Sequence, residues 1–345
     1  FDAGGLTGPA TLTGRSADHG WLINEAAKAD PYFFGTSATG EGKSDFTLVF
    51  RPAGFSGYDF QYTWDRRIHS PDDNLDNLNP SSLQHQGYHA LSLSRHFGNL
   101  NSLEDPKDPD PIYFNFLRLG VVQYPATWVT PIMLLVVLIF TGAIVLGFRR
   151  KALTPLGIGL GVLVFVISAI GTPFLVSRLS PQLPKVFPKF STIYFGYGAN
   201  ELLLIMLFAS FSLALTTTLY ALMMKIRQVS MPDLTIGAFA LVALITVIAA
   251  IDSPGASFVF AWPGLFGFLA VGYWFYSTKD DSKSFSIGQL VALVLAAVVA
   301  IAVMVPAILD DFMISQPNDW FLPLLQLVML WGLLMPLLQI ITRPN

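Results

Sequence analysis

Two patterns of apolar and polar positions divide the chain. From about residue 125 onward, apolar runs of roughly 20 residues recur at 125–148, 156–178, 201–224, 233–251, 257–276, 287–309 and 320–341. Each is long enough to cross about 30 Å of hydrocarbon as a helix. Trp128, Trp262, Trp274, Trp320, Tyr124 and Tyr276 fall near the ends of these runs, as an aromatic belt would. Ionisable residues at functional membrane sites usually lie at mid-membrane depth. Here Glu201, Asp233, Asp252 and Asp310 all fall at run ends, which favours an anchor or packed bundle.

Before residue 124 the pattern is short and mixed. Residues 46–50 (FTLVF) and 57–62 (GYDFQY) read as strands, broken apart by Pro52 and Gly54. Residues 19–29 read as a helix with Trp21, Leu22 and Ala26 on one face. The stretch 79–100 has a clear helix start, with Asn79 as cap and Pro80 at the first helical position. Leu83, Ala90, Leu91 and Phe97 are its expected buried stripe, and Gly98 its end. Strands interleaved with helices predict a layered α/β domain. So few strands make a thin core, expected of the last part of a larger domain.

Composition sharpens the division. The chain is 53% hydrophobic with a mean hydropathy of +0.55, and 24 of its 43 charged residues fall in positions 1–123. A net charge of -3 with no basic block gives no sign of a nucleic-acid partner. There is no cysteine, so any metal must be held by His, Asp and Glu. The loops after runs one, three and five, with the tail, carry 8 Lys and Arg, against 3 in the opposite loops. The basic set is expected to be cytoplasmic, which places residues 1–123 outside and the C-terminus inside.

Candidate chemistry concentrates in the polar part. His85 and His89 share a helix face, with His96 seven residues further on, but no third ligand type stands at metal-site spacing. A solvated or capping role is therefore preferred for them. Asp72, Asp73, Asn74, Asp76 and Asn77 form a loose calcium-loop composition without the required glycine and terminal Glu. Turn and cap chemistry accounts for them equally well.

The order of the pieces is itself informative. FDAGGLTGP, WLINEAAKADP, GKSDFTLVF and GFSGYDFQYTWDRRIHSPDDNLDNLNPSSLQHQGYHALSLSRHF follow one another over residues 1–100. This resembles the C-terminal part of the co-catalytic di-zinc aminopeptidases, most closely their membrane-bound branch of endoplasmic-reticulum metallopeptidase and vacuolar membrane protease type. The resemblance implies a partial peptidase domain of three-layer αβα type over 1–105, a linker over 106–123, and an all-α polytopic bundle over 124–345. It implies a multi-pass membrane hydrolase acting on peptides, with two zinc ions in the complete site. Asp2 matches the family's strand-end acid and His69 its last histidine ligand. Asp45 matches an acid of the Ser-Asp loop that shapes the cleft, and Asp72 or Asp73 could fix the tautomer of His69. Family members often carry Tyr directly before that histidine; here the position is Ile68.

The family's first His, bridging Asp, ligand Glu and general-base Glu all precede the strand-end acid. The general-base Glu is therefore expected upstream of Phe1, and no residue of this sequence is assigned that role. Glu25 and Glu41 are not the Glu pair, since neither has a neighbouring Glu. The chain begins FDAGG, without methionine or signal peptide, so it is expected to be a C-terminal piece of a longer protease, inactive by itself. The alternatives are a non-catalytic ectodomain on a membrane scaffold, or a transporter with an accessory outer domain.

Overall fold

A computed structural model describes residues 6–16, 20–38, 44–62, 65, 71–101, 108–117, 119–182, 185, 200–278, 286–314 and 320–342. The chain forms two compact units, one built mainly from residues up to Val129 and one from Thr130 onward.

The first unit is a small α/β assembly. Its sheet has the order β2-β1-β3, with β1 at Ala10–Arg15, β2 at Phe34–Gly35 and β3 at Tyr58–Tyr62. β1 runs parallel to β2 and antiparallel to β3. Its register with β3 slips between Leu12 and Gly14, so Thr13 is an extra, bulged residue. The slip brings Gly14 so close to Thr47 and Asp59 that a Cβ there would collide with the Thr47 methyl.

Helices α1 (Gly20–Ala29) and α2 (Pro80–Gly98) pack on this sheet. Leu12, Ile23, Ala26, Phe33, Phe60, Leu93 and Tyr113 make the core. α1 matches its expectation: Leu22, Ile23 and Ala26 are buried, and the half-buried Trp21 meets Phe97 edge-on at 5.7 Å. α2 also starts as expected, because the Asn79 side chain accepts from the amides of Ser81 and Ser82.

Two expectations fail, each for an identifiable physical reason. FTLVF is not a strand but one turn of π-helix, Phe46–Phe50. Ser44 and Thr47 exchange backbone-to-side-chain bonds, the Ser44 amide donating to Thr47 Oγ1 and the Thr47 amide to Ser44 Oγ. That reciprocal cap starts a helical turn where alternation would have continued a strand.

The stripe on α2 is rotated at Leu83 and Leu91, although Phe97 packs against the core as expected. Leu83 and Leu91 are 50% and 49% exposed, while Ser82, Gln86, His89 and Leu93 face inward. Polar contacts from Ser82 and His85 to the strand entry set this face.

The expected linker contains structure as well. β4 (Pro111–Asn115) and β5 (Val121–Pro125) form an antiparallel pair, and Tyr113 joins the core. Arg15 holds this region to β1, pairing with Asp110 at 2.6 Å and lying over the Tyr113 ring.

The second unit is helical. Its elements are α3 (Val129–Arg149), α4 (Pro155–Leu179), α5 (Asn200–Ile226), α6 (Met231–Asp252), α7 (Phe258–Ser277), α8 (Ile287–Ile314) and α9 (Phe321–Thr342). Among the described residues, seven helices are long and apolar enough to cross a bilayer, and they coincide with the seven apolar runs. α9 is central, touching α4, α5, α6, α7 and α8. α4 and α6 cross closely: a Cβ on Gly237 would run into the backbone of Gly161 and Val162. Such glycines let helix backbones approach in lipid, where apolar burial gives no drive of its own. Asp233 fulfils the expectation that acids sit at helix ends. It is buried at the start of α6 and accepts from the Thr154 amide at 2.8 Å and from the Ser230 hydroxyl at 2.7 Å, so one carboxylate ties the starts of α4 and α6.

Candidate functional site

Asp2 and His69, the two expected zinc ligands, lie outside the described residues, as does Ile68. Phe1, upstream of which the general-base Glu is expected, lies outside them too. Leu6 and Asp65, each near one of these positions in sequence, are described, and they are bonded to one another. The Leu6 amide donates to Asp65 Oδ2 at 2.8 Å, across 59 residues of chain. Leu6 stands four residues after Asp2, and Asp65 four before His69. The Leu6 carbonyl in turn accepts from the amide of Asn79, the cap of α2, at 2.9 Å.

The same strand entry continues along α2. The Gly8 amide donates to Ser82 Oγ at 3.1 Å, and the Ala10 amide to His85 Nδ1 at 3.1 Å. Residues 6–8 form bends before β1, with Gly8 at positive φ, and the amides of residues 6, 8 and 10 each donate to a side chain. Each finds a side-chain acceptor, which satisfies backbone donors that burial would otherwise leave unpaired. This is why Ser82 and His85 turn toward the strand and Leu83 turns away.

Of the solvated or capping roles expected for His85 and His89, the half-buried His85 takes a capping one, accepting a backbone amide, and His89 is buried. His85 accepts through Nδ1, so its proton sits on Nε2 in the neutral ring. His89 is 1% exposed, stacks on Phe60 at 5.1 Å between ring centres, and brings Nδ1 to within 2.5 Å of Asp30 Oδ2. That contact is close but not aligned as a hydrogen bond. Burial pushes the Asp30 carboxyl up, but His89 and the Tyr32 amide outweigh it and hold the group below its ordinary range. His96 meets Glu25 at 2.6 Å, and Lys28 reaches the other oxygen of the same carboxylate. Against the burial of Glu25, Lys28 and His96 keep its carboxyl below its ordinary value. These pairs join α1 to α2. The sequence holds a hint of them in Asp30 directly before Pro31 at a helix end, but spacing alone does not reveal the partners.

The remaining site candidates are placed as follows. Asp45 is exposed at the start of the π-helical turn and makes no side-chain cap. Asp72 and Asp73 are exposed. The Asp72 carbonyl accepts from the Asn74 amide and the Asn77 side chain, and Asn74 Oδ1 accepts from the Asn77 amide. The acid- and asparagine-rich run is thus a hydrogen-bonded turn leading into α2, as turn chemistry predicts and a calcium loop does not. Asp65 is the residue that the sequence did not single out; its place in a Trp-Asp-Arg-Arg run reads as surface charge, yet it is 8% exposed.

Among the described residues, no three His, Asp or Glu side chains are grouped so as to hold a metal. The donor chemistry of the chain still suits zinc: without thiols, carboxylate and neutral imidazole are the ligands on offer.

No curated protein and no solved structure matches the chain. Residues 1–94 match the model of peptidase family M28, whose members are peptidases and generally zinc-dependent, and this match supports an M28 peptidase domain in that part of the chain.

Proposed function

We propose that this chain contributes the C-terminal part of a zinc-dependent aminopeptidase held in a membrane by seven helices. The observation that carries the reading is the M28 match over residues 1–94, on the segment that contains both Asp2 and His69. The bond between Leu6 and Asp65 is compatible with it, because these two residues stand four positions from Asp2 and His69 in sequence.

In this reading Asp2 offers a carboxylate and His69 a neutral imidazole to different ions of a two-zinc centre. Zinc, when bound, lowers the pKa of a water and polarises the scissile carbonyl. The work of this chain is positional. Asp65 and Asn79 hold the strand entry at Leu6, and Asp72 or Asp73 serves to fix the tautomer of His69. With Ile68 before His69, no phenol stands there to donate to an oxyanion. The sequence contains neither a Glu-Glu pair nor a His-x-Asp motif, so no residue of it is assigned the role of general base or of a further ligand. The peptidase unit faces away from the cytoplasm, opposite the basic loops.

The test is hydrolysis by the complete gene product of a peptide with a free N-terminus and of the same peptide N-acetylated. Cleavage of the first residue from the free peptide alone supports an aminopeptidase. Equal cleavage of both, at internal bonds, removes that specificity.

A further inference from the structure

A groove of about 600 Å³ opens in the helical unit between α5 and α9. Ser210, Ala214, Thr217 and Ala221 line it from α5, and Met335 and Leu338 from α9. The four α5 positions follow a 4-3-4 spacing, so they form one stripe on the helix. Their side chains are too small to fill the space beside α9. The two helices are nevertheless fixed to one another, since Trp331 Nε1 donates to Ser212 Oγ at 2.9 Å. The groove is therefore built into the packing.

Nothing empty of this size persists within hydrocarbon, so the groove has an occupant. From Ser210 to Met224, both in its wall, α5 rises about 21 Å. One leaflet's share of the hydrocarbon is about 15 Å, so an acyl chain can lie along the groove for its whole depth. The walls are almost wholly apolar. Thr217 Oγ1 is turned back onto the carbonyl of Leu213, and Tyr220 is 1% exposed, its hydroxyl directed to the carbonyl of Leu234. At the Met224 end stand two exposed cations, Lys225 and Arg227, with no acid between Glu201 and Asp233.

We propose that this groove binds a phospholipid with an anionic headgroup, its acyl chain lying against α5 and α9 and its phosphate meeting Lys225 and Arg227. The charge at one end of an apolar slot favours this occupant over a transmembrane helix, which would bring no complementary anion to that point. The site is independent of the peptidase reading and lies wholly within the helical unit.

The experiment is native mass spectrometry of the full chain released from nanodiscs of equal phosphatidylglycerol and phosphatidylcholine. The expected result is one retained phosphatidylglycerol per chain. Ala214→Phe with Ala221→Phe should fill the groove and abolish retention. Lys225→Gln with Arg227→Gln leaves the groove open and should reduce the preference for the anionic lipid by roughly thirtyfold, about 1 kcal/mol for each cation removed. Circular dichroism and gel filtration establish that each variant is folded. Retention unchanged in a folded filled variant overturns the proposal. So does equal retention of the two lipids by the unmodified chain, or a dimer that the filling variant dissociates, which would assign the groove to a second copy of α5.

Discussion

The buried carboxylate of Asp65 accepts the amide of Leu6 at 2.8 Å and so ties the strand entry to a residue 59 positions further along the chain. Removing the acceptor leaves a buried amide unpaired, which costs about 1–3 kcal/mol. Asp65→Ala should lower the thermal stability of the first unit by that amount, while Asp65→Asn, which keeps an acceptor oxygen, should lose less. Hydrogen exchange at Leu6, read in the full chain, checks this: exchange as slow in Asp65→Ala as in the unmodified protein would show that the bond does not hold the strand entry.

The carboxylates of Asp30 and Glu25 give the first unit an acid limb. Both have folded-state pKa values below their unfolded ones, through His89 and the Tyr32 amide for Asp30 and through Lys28 and His96 for Glu25. A depressed carboxylate stabilises the fold above its unfolded pKa, about 4, and that stability is lost as pH falls through the folded value. Amides of α1 and α2 should therefore lose protection between pH 5 and pH 3. In Asp30→Asn the loss over that interval should be smaller. An identical profile for the variant would show that Asp30 is not linked to folding.

His89 tests the same pair from the other side. Its removal strands a buried carboxylate, a change that costs about 3–5 kcal/mol where a buried pair is broken by deleting one partner. His89→Ala should be far more damaging than Leu91→Ala, because Leu91 is exposed on the opposite face of the same helix. Thermal unfolding of the two variants side by side decides it; equal effects would mean that the apolar stripe read from the sequence is the buried one after all.

In the helical unit, Gly237→Ala should push α4 and α6 apart, at a cost of about 1–3 kcal/mol for overpacking. Gly159→Ala is the control, since a Cβ there meets nothing within 4 Å. It should leave stability unchanged or raise it by up to about 1 kcal/mol through helix propensity. Unfolding in detergent, followed by circular dichroism, separates the two.

The absence of cysteine makes the proposed orientation directly testable. Ser94→Cys, on the exposed side of α2, should react with an impermeant thiol reagent added outside sealed cells. Arg150→Cys, in the loop after α3, should react only after permeabilisation. The reverse pattern would turn the protein over.

What the sequence made legible follows the strength of its local signals. Seven long apolar runs leave no competing structure, and all seven helices stand where the runs are. The Asn79-Pro80 start of α2 is equally unambiguous, because cap and first turn are written in adjacent residues. The face of α2 was misread because amides of residues 8 and 10, more than seventy positions away, claim Ser82 and His85. FTLVF departs from its strand pattern because a Ser-x-x-Thr cap outweighs β propensity over five residues. For the candidate site, motif order suggests Asp2 and His69, which lie outside the described residues, whereas Asp65 needs the third dimension, since nothing near it in sequence shows that Leu6 is its partner.

In the proposed reading, Asp2 and His69 are zinc ligands of an M28 peptidase domain. The most direct measurement is the zinc content of the complete gene product, by plasma mass spectrometry, beside His69→Ala and Asp2→Ala. The account predicts two zinc ions per chain in the unmodified protein and loss of at least one in each variant, with α2 amides still protected from exchange. Zinc content unchanged in both variants, or an unmodified protein that binds no zinc, would contradict it.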